Sequence, residues 1–217
     1  MDSQKATSFR RIEVCGGIAS AKTTVAVLLQ RLGFTPIFEN FEASPFLDAF
    51  YHDPARYTFE TEVSFLLQHY HQIKKESVPD IGSACDFSMI LDLAYARMGL
   101  NGTKLHAFSA VYEEVERELG YPLLLVHLKC DAETQLGRIR SRSREIEASI
   151  TIEFLEKLNN AVETEVVAAQ QDMEVISIDS AAIDFANDEA AKREVVGHIQ
   201  RALGMVAKAP QVKKGKG

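Results

Sequence analysis

Several things are scarce in this sequence, and each shortage excludes a class of protein. There are only three cysteines, Cys15, Cys85 and Cys130. They fall in or beside expected strands with no metal-like spacing, which predicts buried, reduced thiols in a cytoplasmic protein. No apolar run reaches membrane-spanning length, so no inserted helix is expected. Positive charge is not in excess: the net charge is −7 and the pI about 5.4, which argues against general affinity for nucleic acid. The start, Met1–Arg10, is polar and predicts no signal peptide. No internal repeat is visible.

What is present is ordinary for one globular unit. With 46% apolar and 25% charged residues in 217, the chain can bury a full core. One domain over 9–206 is expected. The last stretch, 207–217, holds four lysines and no acid, and reads as a disordered basic tail.

Strand and helix signals alternate along that domain. Arg11–Cys15 reads as a strand, followed by a helix from Lys22 to near Gly33. Phe34–Glu39 alternates as a second strand. A short helix through Phe46, Leu47 and Phe50 is broken at Asp53-Pro54, and a longer helix follows with Phe59, Val63, Leu66, Leu67, Tyr70 and Ile73 along one side. Ser83–Asp86 is a third strand, with helices over Ser88–Met98 and around Leu105–Leu119. Leu123–Leu128, a continuous apolar run, suits a parallel strand buried on both faces. Asp131 caps the next helix, Thr151–Gln171 is another, Glu174–Ile178 a fifth strand, and Val195–Leu203 lies in a last helix. This pattern predicts an α/β fold: a five-stranded parallel sheet with helices on both faces and its ligand at the carboxyl ends of the strands.

The chemistry begins at Gly16-Gly17-Ile18-Ala19-Ser20-Ala21-Lys22-Thr23-Thr24, between the first strand and the first helix. A glycine turn ahead of Lys-Thr at a helix start is the layout of a phosphate-binding P-loop, with backbone N–H groups forming a cradle. Lys22 adds a point charge and Thr23 a hydroxyl for magnesium. Ala21 occupies a position where the pattern has glycine; at positive φ its Cβ would cost about 1–2 kcal/mol. Downstream, Arg138 and Arg142 share a helix face with Arg144 just beyond, and can gather charge over a triphosphate. Glu39 and Asp86, at the ends of the second and third strands, suit a proton acceptor and a magnesium ligand.

Those residues resemble the deoxynucleoside kinases, over about 10–190. Gly16–Thr24 is similar to the family's P-loop, and Glu39 to its general base. Phe50–Phe59 resembles its FYxDPxRWxF stretch, which makes Tyr51 a sugar contact. Asp86-Phe87-Ser88 stands where the family has Glu/Asp-Arg-Ser, and Asp92 matches an aspartate six residues on. Arg138, Arg142 and Arg144 resemble its RxxxRxR lid, Glu147 a sugar-contacting glutamate, and Phe154–Leu158 its YLEKL. Asp184-Phe185 falls where adenine is held. The resemblance implies a P-loop kinase fold with an arginine-bearing lid, ATP and magnesium as cofactors, and a homodimer. It implies catalytic roles for Glu39, Lys22 and Arg142, metal binding by Thr23 and Asp86, and a substrate pocket of Glu39, Tyr51, Glu62, His69, Phe87, Asp92 and Glu147.

Four positions depart from the pattern. Besides Ala21, Phe87 replaces an arginine near the reacting end of the substrate, a loss of about 2.7–4 kcal/mol if it acts as an oxyanion-type donor. Glu62 replaces a glutamine that reads the base edge, and an ionised glutamate only accepts. His69 replaces a second arginine. By residue count the pocket becomes more acidic and favours a neutral or cationic ligand. The leading expectation is phosphoryl transfer from ATP to the 5′-hydroxyl of a nucleoside or nucleoside-like compound. The rival is a non-catalytic relative serving as a nucleotide-binding or structural subunit, and a third reading is a kinase for a non-nucleoside metabolite.

Overall fold

The computed structural model of the chain describes residues 9–204, except 79, 184 and 186. The expected tail, 207–217, lies outside them. The apolar alternation of Arg11–Cys15 becomes strand β1, which runs along the middle of a five-stranded parallel sheet. Its neighbours are β3 (Ser83–Cys85) and β4 (Leu124–Lys129), with β2 (Thr35–Ile37) and β5 (Val175–Asp179) at the edges, in the order β2-β3-β1-β4-β5. Ile12 pairs with both Ala84 and Leu124, so all chemistry carried by the strand ends emerges along one edge.

Helices cover both faces. On one, α1 (Lys22–Leu28) and α8 (Glu189–Ala202) bury Val25, Val195 and Ile199 against Ile12, Val14, Leu124 and Val126. On the other lie α3 (Pro54–Glu76), α4 (Met89–Gly99), α5 (Gly102–Leu119) and α7 (Ile152–Ala169), packed on Ile37, Cys85, Cys15 and Leu125. The short α2 (Leu47–His52) precedes α3, and α6 (Ala132–Arg142) packs on α7. No helix among the described residues is long and apolar enough to cross a membrane.

Local chemistry explains where the helices start. Asp53 ends α2 and caps α3 by accepting from the Arg56 N–H, with Pro54 in the first turn, where a missing donor costs nothing. Ser88, Asp131 and Thr151 cap α4, α6 and α7 in the same way.

The structure corrects four details of the sequence reading. Strand β2 stops at Ile37, because its only partner, β3, ends at Cys85. Glu39 and Asp86 therefore sit just beyond their strands, in irregular backbone. Leu67 is 44% exposed, and the buried face of α3 instead carries Thr61, Glu62, Leu66, His69 and Ile73. Cys15 and Cys85 are buried as expected, but Cys130 is only partly so. Finally, the inner face of β1 is not purely apolar. Arg11 and Glu13 form a buried ion pair at 2.7 Å. Arg11 also donates to the carbonyls of Leu119 and Gly120, and Glu13 accepts from the Met89 N–H. The end of α5 and the start of α4 are thereby fastened to the central strand.

Candidate active site

The glycine loop leaves the end of β1 and enters α1 through left-handed backbone. Ala19 has φ 58° and Ala21 φ 74°, a region L-residues occupy at a cost. Gly16, at φ 153°, admits no side chain: a Cβ there would lie 2.8 Å from the Leu128 carbonyl oxygen. The Lys22 ammonium folds back over the turn and donates to the carbonyls of Gly16 and Gly17 at 3.0 and 3.1 Å. Burial pulls its pKa below the ordinary lysine value, against the charge of Glu39. The Ser20 hydroxyl is buried in the turn and has no hydrogen-bond partner among the described residues, a donor available to an oxyanion. These features fit a polyphosphate.

Asp86 joins the loop to the expected base. One oxygen accepts from the Glu39 backbone N–H at 2.6 Å and the other from the Thr23 hydroxyl at 2.7 Å. Burial raises its pKa while both hydrogen bonds oppose the rise. Among the described residues no group of three or more His, Cys, Asp or Glu is placed to hold a metal ion. A hydroxyl and a carboxylate beside a phosphate cradle nevertheless suit magnesium, which takes few protein ligands and keeps water and phosphate for the rest.

Behind Glu39 lies a buried charge cluster. The His69 ring meets Asp92 through Nδ1 at 2.9 Å and Glu39 through Nε2 at 3.2 Å. It stacks on Phe87 with centroids 4.1 Å apart and planes 8° from parallel. Burial opposes a charge on His69, but the charge and hydrogen bond of Asp92, then Glu39, outweigh it and raise the pKa to about 10. Burial raises Asp92, with His69 pulling it back. Glu39 ends below the ordinary carboxylate value: burial pushes it up, and His69, Lys22 and Arg144 more than compensate. For Glu62, burial and then Asp92 outweigh the opposing charge of His69 and hold it well above the ordinary range. The expectation of a more acidic pocket, made by residue count, is thereby tempered: burial pushes Glu62 toward its neutral form, and Asp92 and Glu39 push His69 toward its charged one. His69 and Phe87 are also not on the pocket wall, as the resemblance implied. They stand behind it, 2% and 0% exposed.

The arginines converge only in part as expected. Arg142 is paired with both oxygens of Glu147, and Arg144 lies 3.7 Å from the same carboxylate and over the Phe41 ring. Arg138 donates to the carbonyls of Ala19 at 3.2 Å and Ser180 at 2.6 Å, bracing the loop against the end of β5. Phe185, expected beside adenine, is 1% exposed and packed with Val195 and Ile199 in the core; Asp184 lies outside the described residues.

A cavity of about 510 Å³ connects these groups. It takes in the loop from Ile18 to Thr24, then Glu39, Asp86, Arg138, Arg142 and Arg144, and reaches Tyr51, Glu62, Asp92 and Glu147. Its walls include residues that the sequence reading missed: Phe38, Phe41, Thr61, Phe65, Leu91 and Tyr95. Helical spacing could have found two of them, since Phe65 follows Glu62 and Tyr95 follows Asp92 by three residues, on the same face. Phe38 lies just beyond β2 and Phe41 opens a short 3-10 turn, Phe41–Ala43, and nothing in their spacing pointed to the cavity.

A family model described as deoxynucleoside kinase matches residues 12–203. A deoxyguanosine kinase of Bacillus subtilis is 27% identical over 203 residues, covering 88% of this chain and 97% of that protein. A deoxyadenosine kinase of Dictyostelium discoideum is 28% identical over 165 residues, 73% and 67% of the two chains. Among solved structures, the deoxyadenosine kinase from M. mycoides with products dCMP and a flexible dCDP bound superposes with a TM-score of 0.74 at 20% identity, over 89% of this chain and 99% of that one.

Two measurements follow from the geometry. Ala21→Gly relieves a left-handed Cβ and should raise stability by about 1 kcal/mol, or roughly 2–4 °C in melting temperature for a chain of this size. A lower melting temperature would show that Ala21 is not strained. The second concerns pH. The pKa of His69 is raised in the folded state, so its contribution is complete below the ordinary value of 6.5 and is lost as pH rises through about 10. Glu62 and Asp92 are raised too, and also favour the folded state less as pH rises. Urea midpoints should therefore fall across that window. Glu39, being depressed, has a contribution that is lost on the acid side as pH falls. A midpoint that stays flat or rises from neutral to alkaline pH would contradict the charge assignment.

Proposed function

The chain belongs to the deoxynucleoside kinase family, and from that premise we propose that it transfers the terminal phosphoryl group of ATP to the 5′-hydroxyl of a deoxynucleoside. The observation that carries the reading is the meeting of the glycine loop, Asp86 and Glu39 on one cavity, joined by the two hydrogen bonds of the Asp86 carboxylate. The relatives named above are kinases of deoxyguanosine and deoxyadenosine, so purine deoxynucleosides are the first acceptors to test. The comparisons give no support to a non-catalytic role.

In the proposed mechanism the loop amides, the Ser20 hydroxyl and Lys22 bind the phosphates, with Lys22 exchanging the carbonyls of Gly16 and Gly17 for phosphate oxygens. Thr23 and Asp86 are the residues that would hold magnesium, which would supply neutralising charge to the phosphates when bound. Glu39 accepts the proton of the 5′-hydroxyl as that oxygen attacks the terminal phosphorus. The bond from phosphorus to the bridging oxygen breaks, and ADP leaves with the electron pair. Arg142 and Arg144, on the segment after α6, are placed to turn from Glu147 toward the transferred group. Tyr51 and Glu147 face the sugar. Glu62, kept neutral by burial, presents one donor and one acceptor to the base edge, as an amide would. Asp92, engaged by His69, limits how far that edge can reach.

The free thiols and acidic surface suit the cytoplasm. A homodimer is part of the proposal, using apolar side chains exposed between α3 and α5, such as Leu67 and Val111. Sedimentation should give twice the chain mass, and a monomer at micromolar concentration would remove that part.

The activity itself is tested by incubating the protein with ATP, magnesium and a panel of deoxynucleosides and following monophosphate formation. Lys22→Ala and Glu39→Gln should each lower kcat by about 100-fold or more while the fold, read by circular dichroism, is unchanged. No product from any nucleoside at high enzyme concentration would overturn the proposal.

A further inference from the structure

We propose that His69, as an imidazolium clamped between Asp92 and Glu39, is the positioning residue that holds Glu39 in place for proton transfer. This rests on the reading of Glu39 as the proton acceptor. A neutral imidazole has one N–H and one lone pair, so it cannot donate to two carboxylates. Here both ring nitrogens face carboxylate oxygens, Nδ1 at 2.9 and 3.1 Å from Asp92 and Nε2 at 3.2 Å from Glu39. With one ring proton and both acids ionised, one of these contacts would set lone pair against lone pair around a side chain that is 2% exposed. With two protons, both contacts are charge-assisted hydrogen bonds.

The clamp has a fixed end and a free end. His69 and Asp92 belong to α3 and α4, long helices packed on each other and on the sheet. Glu39 belongs to irregular backbone beyond β2, and its side chain is 31% exposed toward the cavity. Its backbone is tied to Asp86, but its carboxylate is tied to rigid structure through His69. Phe87 completes the device. Its ring lies flat against the imidazole at 4.1 Å, so the ring cannot tip without losing the stack, and Phe65 leans on it with centroids 5.9 Å apart.

The same arrangement accounts for two departures from the family pattern together. An arginine at the place of Phe87 would put a second cation against the imidazolium. A flat, uncharged ring instead supports the one cation the cluster keeps. Around it stand Glu62 on α3 and, facing Glu39, Lys22 from the loop, Arg144 from the segment after α6, and Asp86. Asp92, Glu39 and His69 together carry one net negative charge, two acids against one cation, with Glu62 held neutral beside them.

Two readouts test this, one of them independent of activity. Nitrogen-15 spectra of the histidine rings in the full chain, at about pH 8, where ordinary histidines are neutral, should show one ring with both nitrogens protonated, absent in His69→Gln. His127, whose pKa burial lowers, is the internal control and should be neutral. A singly protonated His69 at that pH overturns the clamp, whether or not the protein is active. For turnover, His69→Gln should lower kcat by about 100-fold, the scale of a misplaced catalytic group, with KM for ATP unchanged. His69→Arg, which restores a cation with several donors, should recover most of that loss. A His69→Gln variant with unchanged kcat, or one in which KM for ATP, kcat and melting temperature all worsen together, overturns the positioning role. Absence of product from the wild-type protein would instead sink the kinase reading, and the nitrogen-15 result would still decide the state of His69.

Discussion

The turn between β1 and α1 is the constraint on which the site depends. Two alanines hold left-handed backbone there, at about 1–2 kcal/mol each, and such strain persists only where neighbours over-determine it. They do so from three directions. Arg138 grips the Ala19 carbonyl from α6, Lys22 bridges the carbonyls of Gly16 and Gly17 from the helix start, and Asp86 holds Thr23 from the end of β3. The turn can sit among those partners because β1 is central, with β3 and β4 in register on either side. Ala21 is therefore a costly residue in a position that the rest of the structure keeps cradle-shaped.

Charge is managed by depth. On the cavity wall Arg142 and Arg144 share the buried carboxylate of Glu147 while their own side chains stay 32% and 45% exposed, so solvent can stabilise either guanidinium when it changes partner. Further in, Asp86 is satisfied by a backbone N–H and a hydroxyl. Deepest lie Asp92, His69 and Glu62, where an unpaired charge would be prohibitive. There Asp92 and Glu39 favour a charged His69 between them, and burial favours the protonated form of Glu62. A gradient from exchangeable to fixed charge suits a site that must admit a polyanion at one end and a nearly neutral ligand at the other.

Much of this was legible in the sequence. All five strands, the order of the helices, the break at Asp53-Pro54, the cap at Asp131 and the loop itself follow from spacings and residue types that act over a few positions. So does the placing of Glu39 and Asp86 near strand ends. The readings that failed share a cause. The extent of β2 is set by β3, not by the alternation of Phe34–Glu39. The buried face of α3 is set by what α4 brings against it, which turned Glu62 and His69 inward and left Leu67 outside. Phe185 was placed by its position after β5, yet α8 and the sheet close over it.

The sequence by itself determined the fold class, the glycine loop between β1 and α1 and the residue types near it, because periodicity, capping and glycine turns are local rules. Only the tertiary structure decided what those residues are. His69 lies 30 positions from Glu39 and 23 from Asp92, and nothing in the intervening chain states that the three will meet. Once they meet, burial and one another's charges set the direction in which each pKa moves: His69 up toward its charged form, Glu62 up toward its neutral form, Glu39 down.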